Sequence, residues 1–434
     1  MEHVELELAI GLVALAVAAY ALIAARLSKW SVSAAFSFLA IGTVIGWLAT
    51  TMGAESMPGH EILGSLAELT LALVLFAAAS TVSLKRLESD TRSVLRLLAI
   101  GLPLTIAIGT VMALGFFPGI SFGVALLIGT VLAPTDADLG HQVISGTSVP
   151  ARIRRMLNVE SGLNDGIAAP VVTVAIALAV FGDVHGMSPV IDAVGELAVA
   201  AVVGVTIGGV GRWLLSRADI RKTATPSSRQ LATLALAMAA YLLAAGLGAS
   251  GFIAAFVAGL AFGLGSKKRV ESAVGFTEAQ SVLLSIIVWL VLGLTVVGEN
   301  LAAFGDPVII AYAVLALTAM RMIPVAIALL GSGFDRVTVA FMGWFGPRGL
   351  ASVVFVLIGL EALDSAGLPT DPLGPVVAWT VVLSVIAHGF SAKPLARLYG
   401  RYAQGLPDDA PERVGDSEPR RRPWRFHDHG SPRV

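Results

Sequence analysis

Residues 158–180 read NVESGLNDGIAAPVVTVAIALAV. A basic cluster, Arg152, Arg154 and Arg155, stands just before this stretch, and no charge follows Asp165 until Asp183. An apolar run near 157–181 is long enough to cross a bilayer as a helix. Glu160, Ser161, Asn164 and Asp165 are thereby carried into a medium where an unpaired charge costs several kcal/mol. The fold class and the chemistry both turn on why they stand there.

The rest of the 434-residue chain repeats the pattern. It is 56% hydrophobic and only 14% charged, against about 25% charged in a soluble globular protein, and its mean hydropathy is +0.83. Residues 97–135 carry no charge at all, and GFFPGIS at 115–121 marks a turn between two spans within them. With no cysteine, disulfides and thiolate metal sites are excluded. The opening MEHVELE is acidic, which reads as the start of a first span rather than a cleaved signal peptide.

The expected fold is all-α and polytopic. Thirteen spans are placed near 4–25, 31–51, 61–82, 94–115, 120–140, 157–181, 188–211, 229–247, 251–266, 279–297, 304–330, 336–360 and 373–394. Alternate connections collect the basic residues: Arg26 and Lys29, the group from Lys85 to Arg96, Arg152 to Arg155, Arg212 to Arg229, Lys267 to Arg269, and Arg336. The opposite connections hold none, which places the N-terminus outside and the C-terminus inside. Residues 1–400 form the transmembrane domain in this reading. Residues 401–434, polar and proline-rich, are expected to be a disordered cytoplasmic tail whose RRRPWR would either meet anionic lipid or simply keep the tail soluble.

Thirteen spans divide into six, a linker and six, giving inverted repeats at about 4–181 and 229–394. The fifth span of each repeat, spans 5 and 12, is interrupted: LAPTDADLG at 132–140 and GWFGPRGLAS at 343–352. Proline removes a helix hydrogen bond, and the freed backbone groups persist in a membrane only where they line a protein cavity. Paired breaks in opposed repeats point to a transporter's midplane site.

Asp165 lies ten residues past Arg155, about 15 Å along a helix. Ser161 and Asp165 share one helix face; Glu160 and Asn164 share the adjacent one. Carboxylate, hydroxyl, amide and backbone oxygens suit a hard cation such as sodium, and burial favours the protonated form of a carboxyl. A proton and a cation would then compete for Asp165. Glu160 is the natural counter-ion of Arg321. Arg348 would offset Asp136 or Asp138, or neutralise broken-helix ends. Glu68 either completes the cation site or lies near the outer interface. Glu196 reads as an interfacial or helix-pairing residue, and His388, near the cytoplasmic end of its span, as a hydrogen-bonded packing residue in preference to one that tunes pH response.

Together these residues resemble a known family, the monovalent cation/proton antiporters, specifically the NhaP-type and NHE-type sodium/proton exchangers. The resemblance rests on PTD at 134–136, ESGLND at 160–165, GASGFIAAFVAGL at 248–260, the Arg321 segment and GPRG at 346–349. It implies a homodimer in the cell's inner membrane, with membrane lipid, cations and protons as its partners, and no cofactor, nucleic acid or enzymatic reaction. It also implies that Asp165 carries cation and proton, that Thr135, Ser161 and Glu68 help ligate the ion, and that Asp136 and Asn164 hold the helix crossing. Asn164 before Asp165 implies electroneutral exchange, one proton per sodium. Ala137 and Asp138 depart from the Pro-Val common after PTD, and Asp138 adds an acid beside the site.

Other classes fit less well. A cation channel would use similar ligands without proton coupling. An intramembrane serine protease built on Ser250 and His388 would leave the acids at 160–165 without a role, and the GxGD context of an aspartyl intramembrane protease is missing.

Overall fold

A computed structural model describes residues 2–30, 32–52, 60–81, 91–136, 139, 143, 148–185, 188–264, 267–298, 301, 305–407 and 409–413. Among them the regular structure is helical throughout. In order, the helices are α1 (Glu2–Lys29), α2 (Ala34–Thr51), α3 (His60–Thr81), α4 (Thr91–Arg96), α5 (Leu102–Phe116), α6 (Phe122–Val131), α7 (Ala151–His185) and α8 (Ser188–Ile220). They continue with α9 (Pro226–Gly246), α10 (Gly251–Gly263), α11 (Lys267–Leu292), α12 (Pro307–Leu317), α13 (Ala319–Ala328), α14 (Arg336–Trp344), α15 (Leu350–Ser365) and α16 (Leu373–Gln404). Wider π turns at Leu97–Gly101 and Gly293–Val297 join α4 to α5 and extend α11. Eight segments among the described residues are long and apolar enough to cross a membrane, and shorter apolar helices accompany them. The protein is a polytopic membrane protein.

Local chemistry explains several starts. Ser33, Ser121 and Thr225 accept backbone N–H bonds at the N-termini of α2, α6 and α9, and Asp306 does so for α12. In lipid an uncapped amide has no water to turn to, so these small polar side chains mark the helix entries. Helix contacts are made close by small residues. A Cβ on Gly259 of α10 would lie 2.4 Å from the Phe76 carbonyl oxygen of α3, so only glycine permits that approach.

Three interruptions shape the interior. Helix α6 ends at Val131 and the chain runs on without helix to Asp136; α14 ends at Trp344 and helix resumes at Leu350. Both were expected from Pro134 and from Gly346-Pro347. The third was not: a continuous helix was expected over 304–330, but Thr318 leaves helical geometry at φ −112°, ψ −88° and divides α12 from α13. Proline does not mark this break, since Pro324 lies inside α13. The freed Ala316 carbonyl instead finds a donor from elsewhere in the fold, Arg348, a partner that a linear reading does not reveal.

The boundary of the polar tail also needs correction. Helix α16 continues to Gln404, and residues 409–413 pack back on the bundle. Arg152 donates to the Pro411 carbonyl at 2.6 Å and lies over the Phe334 ring. Glu412, 1% exposed, accepts from the Asp335 backbone N–H at 2.8 Å and from the Thr338 hydroxyl at 3.0 Å. Buried polar groups of the bundle thus recruit the first residues of the tail, overriding a composition that suggested disorder; residues 414–434 lie outside the described residues. Beside this contact the Tyr402 hydroxyl donates to Asp335, which also caps α14, and this holds the Asp335 carboxyl below the usual carboxylate range. That contribution is present above the ordinary carboxylate value and is lost as pH falls through the lowered one.

Replacing Glu412 with Ala leaves the Thr338 hydroxyl and the Asp335 amide without their acceptor. The expected loss is roughly 1–3 kcal/mol, read as a lower midpoint of thermal unfolding in detergent. An unchanged midpoint would show that the packed tail contributes nothing to stability.

Candidate functional site

The two breaks cross, and each supplies what the other lacks. The Asp136 backbone N–H donates to the Pro347 carbonyl at 2.8 Å, and the Asp136 carboxylate accepts the Leu350 N–H at 2.9 Å at the start of α15. In the other direction, the fully buried Arg348 guanidinium donates to the carbonyls of Ala133 (3.2 Å) and Pro134 (3.4 Å), beyond the end of α6. It also reaches Gly346 and Ala316, each at 3.3 Å. Ser352 of α15 donates to the Val131 carbonyl at 2.7 Å.

The acid therefore sits at a helix N-terminus and the arginine at a helix C-terminus, where each meets the opposite end of a helix dipole. The bonds of Arg348 fit helix-end neutralisation, one of the roles open to it in the sequence; Asp138, a candidate for the other, lies outside the described residues. Close approach is required too: a Cβ on Gly349 would lie 1.9 Å from Asp136 Oδ2.

Helix α7 runs unbroken past this crossing, so its 160–165 segment presents side chains at helical spacing. Glu160 Oε1 accepts from Arg321 NH1 at 2.6 Å, with both side chains buried. The second acid, Asp165, is half-buried one turn further on. Between them, the Thr135 hydroxyl lies 2.9 Å from the Ser161 hydroxyl, and Asn164 Nδ2 donates to Thr135 Oγ1 at 2.7 Å. Thr135, Ser161 and Asn164 thus form one buried polar cluster joining α7 to the crossing.

Hydrogen-bonding capacity is left over here. Buried atoms without a partner include Glu160 Oε2, Asn164 Oδ1, Arg321 Nε and NH2, and Arg348 Nε. Such groups are costly in a dry interior, and their concentration at one locus suits a site built to take water or an ion. Among the described residues no group of three or more His, Asp or Glu converges as a metal centre.

Thr135, Asp136, Glu160, Ser161, Asn164, Arg321 and Arg348 therefore come together at the crossing, with Asp165 beside them on α7. Glu68 is placed differently: the Tyr241 hydroxyl of α9 donates to its Oε2, and its hydrogen bond does not join the Thr135 cluster. A Cβ on Gly64, one turn before it, would lie 3.9 Å from Glu361 of α15. Glu196 is exposed on α8, and Asp138 lies outside the described residues.

Sequence reasoning missed Ser384, whose hydroxyl accepts the Arg348 N–H at 2.7 Å, and Trp344, whose carbonyl meets His388 Nε2 at 2.9 Å. The available signal was the i, i+4 spacing of Ser384 and His388 on one face of α16.

A family profile described as sodium/hydrogen exchanger, transmembrane, matches residues 12–398. Na(+)/H(+) antiporter 2 of Zygosaccharomyces rouxii is 27% identical over 66% of this chain and 39% of its own length. K(+)/H(+) antiporter NhaP of Alkalimonas amylolytica is 24% identical over 83% of this chain and 61% of its own. The chain thus spans about two fifths to three fifths of these relatives' length. The solved structure of the sodium proton antiporter MjNhaP1 from Methanocaldococcus jannaschii at pH 8 has the same fold, with a TM-score of 0.73 at 23% identity, covering 91% of this chain and 99% of that one.

Removing one partner of the buried pair tests the geometry. Glu160→Gln strands the Arg321 charge and is expected to cost about 3–5 kcal/mol, seen as a large fall in thermal stability. Replacing both residues with apolar ones of similar volume should restore most of the loss.

Proposed function

We infer that this chain, which belongs to the sodium/hydrogen exchanger family, exchanges a monovalent cation, sodium foremost, for protons by alternating access. The supporting observation is the division of labour along α7. Glu160 is bonded to Arg321, and Asp165 follows Asn164 on the same helix, one turn past Ser161, where Thr135, Ser161 and Asn164 form a buried hydroxyl and amide cluster.

Asp165 accepts either a proton or the cation, and not both together. With either bound, the site is electrically neutral and can move through the low-dielectric barrier. Empty, it carries one more negative charge than in either loaded form, and desolvating that charge opposes movement. That difference couples the two fluxes without a further gate. Ser161 and Thr135 supply oxygens in place of the ion's hydration shell, and Asp136 and Arg348 keep the breaks in register around it.

Asn164 brings no second charge to the position beside Asp165, and we assign one proton per cation on that basis. In this reading thirteen spans form two inverted repeats, the N-terminus faces outward, residues beyond 400 face the cytoplasm, and the protein works as a homodimer in the cell's inner membrane. Glu68, bonded to Tyr241, would join the ion's path rather than its innermost shell.

The test is proton release from acidified everted vesicles or proteoliposomes on addition of sodium, lithium or potassium chloride in separate runs. Wild type should release protons with at least one cation, and Asp165→Asn should release none. Asp165→Asn working as well as wild type, or cation flux without proton movement as in a channel, would overturn the reading. Ser161→Ala should weaken the apparent cation affinity by about tenfold, the effect of one lost charge-assisted contact. If exchange is electroneutral, clamping the membrane potential with valinomycin and potassium will leave the sodium-driven rate unchanged.

A further inference from the structure

The break between α14 and α15 leaves backbone groups that the helix ladder cannot serve, and one face of α16 serves them. Ser384, His388 and Ser391 recur at i, i+4 and i+7 on that helix. The Ser384 hydroxyl accepts the Arg348 backbone N–H at 2.7 Å. His388 Nε2 lies 2.9 Å from the Trp344 carbonyl, and the Ser391 hydroxyl accepts from the Trp344 indole at 2.9 Å. Each ring nitrogen faces a carbonyl that can only accept, Nε2 that of Trp344 and Nδ1 that of Ser384 at 3.0 Å. The tautomer with its proton on Nε2 is the one that bridges to Trp344, and in it Nδ1, 3.2 Å from the Ser384 hydroxyl, accepts from that hydroxyl.

In that tautomer the contacts form an oriented chain: Arg348 N–H to Ser384, the Ser384 hydroxyl to His388, and His388 to the Trp344 carbonyl. It spans residues 344–348 and closes both sides of the gap. The His388 ring is 1% exposed and packs on Trp344 with centroids 5.1 Å apart, so its orientation is set by packing as well as by hydrogen bonds. The extended link 345–349 carries the Pro347 carbonyl that receives Asp136, and the arginine that holds Ala133 and Pro134. A slack link would therefore displace Thr135, next to these contacts, relative to Ser161.

We propose that His388 is a positioning residue of the exchange site, holding the 344–348 gap in register through Ser384 and Trp344. It touches neither cation nor proton carrier. The proposal rests on the exchange reading above, and two independent readouts separate the two.

The experiment compares wild type, His388→Leu, His388→Gln and Ser384→Ala. In sodium-driven exchange, His388→Leu and Ser384→Ala should each raise the sodium KM about tenfold with little change in turnover per folded protein. His388→Gln keeps a donor at the ε position and should return the KM to within about twofold of wild type. A purely structural histidine would lower the amount of folded protein at constant KM, and that result overturns the proposal. So does a Gln variant as impaired as the Leu variant.

The second readout needs no transport: hydrogen–deuterium exchange of peptides covering 340–352. Exchange there should quicken in the Leu and Ala variants and stay at the wild-type rate in the Gln variant. If wild type shows no exchange activity but these amides respond as described, the transport reading fails while the clamp stands. If these amides do not respond, the clamp fails. Should His388→Leu not fold, Ser384→Ala carries both measurements.

Discussion

Everything in this fold depends on satisfying backbone groups where there is no water. A helix interrupted inside a bilayer exposes amides and carbonyls at a cost of several kcal/mol each if they stay unpaired. Two interruptions placed against each other answer this with two charged side chains. Asp136 takes the amide at the start of α15, and Arg348 takes the carbonyls beyond α6. Each of these side chains reaches backbone dipoles of the opposite break. Arg348 extends the same service to Ala316, so a third interruption depends on it.

Against that frame the segment 160–165 divides its acids. Glu160 is bound tightly to Arg321 and buried with it, a pair that stabilises only while both members are present. Asp165 stands one turn further along the same helix, next to Asn164 in sequence and half-buried. Two chemically similar groups stand five residues apart on one helix, and the proposed function gives them different roles. His388 and Ser384 belong to a further layer: they hold the backbone that holds the arginine.

Much of this was legible beforehand. Apolar runs of bilayer length, the basic clusters between them and the proline and glycine at 134 and 346–347 led to a polytopic helical protein with two breaks. The Glu160–Arg321 pairing followed because each was a deep charge in need of a counter-ion. Other features had no linear signal. Thr318 leaves the helix without a proline or glycine, so the break at that residue was read through. Glu68 has a place toward the ion only through the family resemblance, and no linear signal points to its hydrogen-bond partner Tyr241, 173 positions away. The start of the tail was read as disordered because composition records hydrophobicity and not the single buried carboxylate, Glu412, that anchors it.

By itself, then, the sequence determined that the chain is polytopic and helical, with apolar runs of bilayer length and a few charges inside them, because transfer to lipid is governed by residue type and run length. It also determined that the charges would need partners. Which partner each one takes was decided only by the tertiary structure. Arg348 could have met an aspartate or a helix end, and both were compatible with its depth. The choice depends on ångström-scale approach between helices distant in sequence, down to the missing Cβ of Gly349 beside Asp136. Hydrogen bonds of 3 Å are fixed by packing, and packing is a property of the assembled bundle.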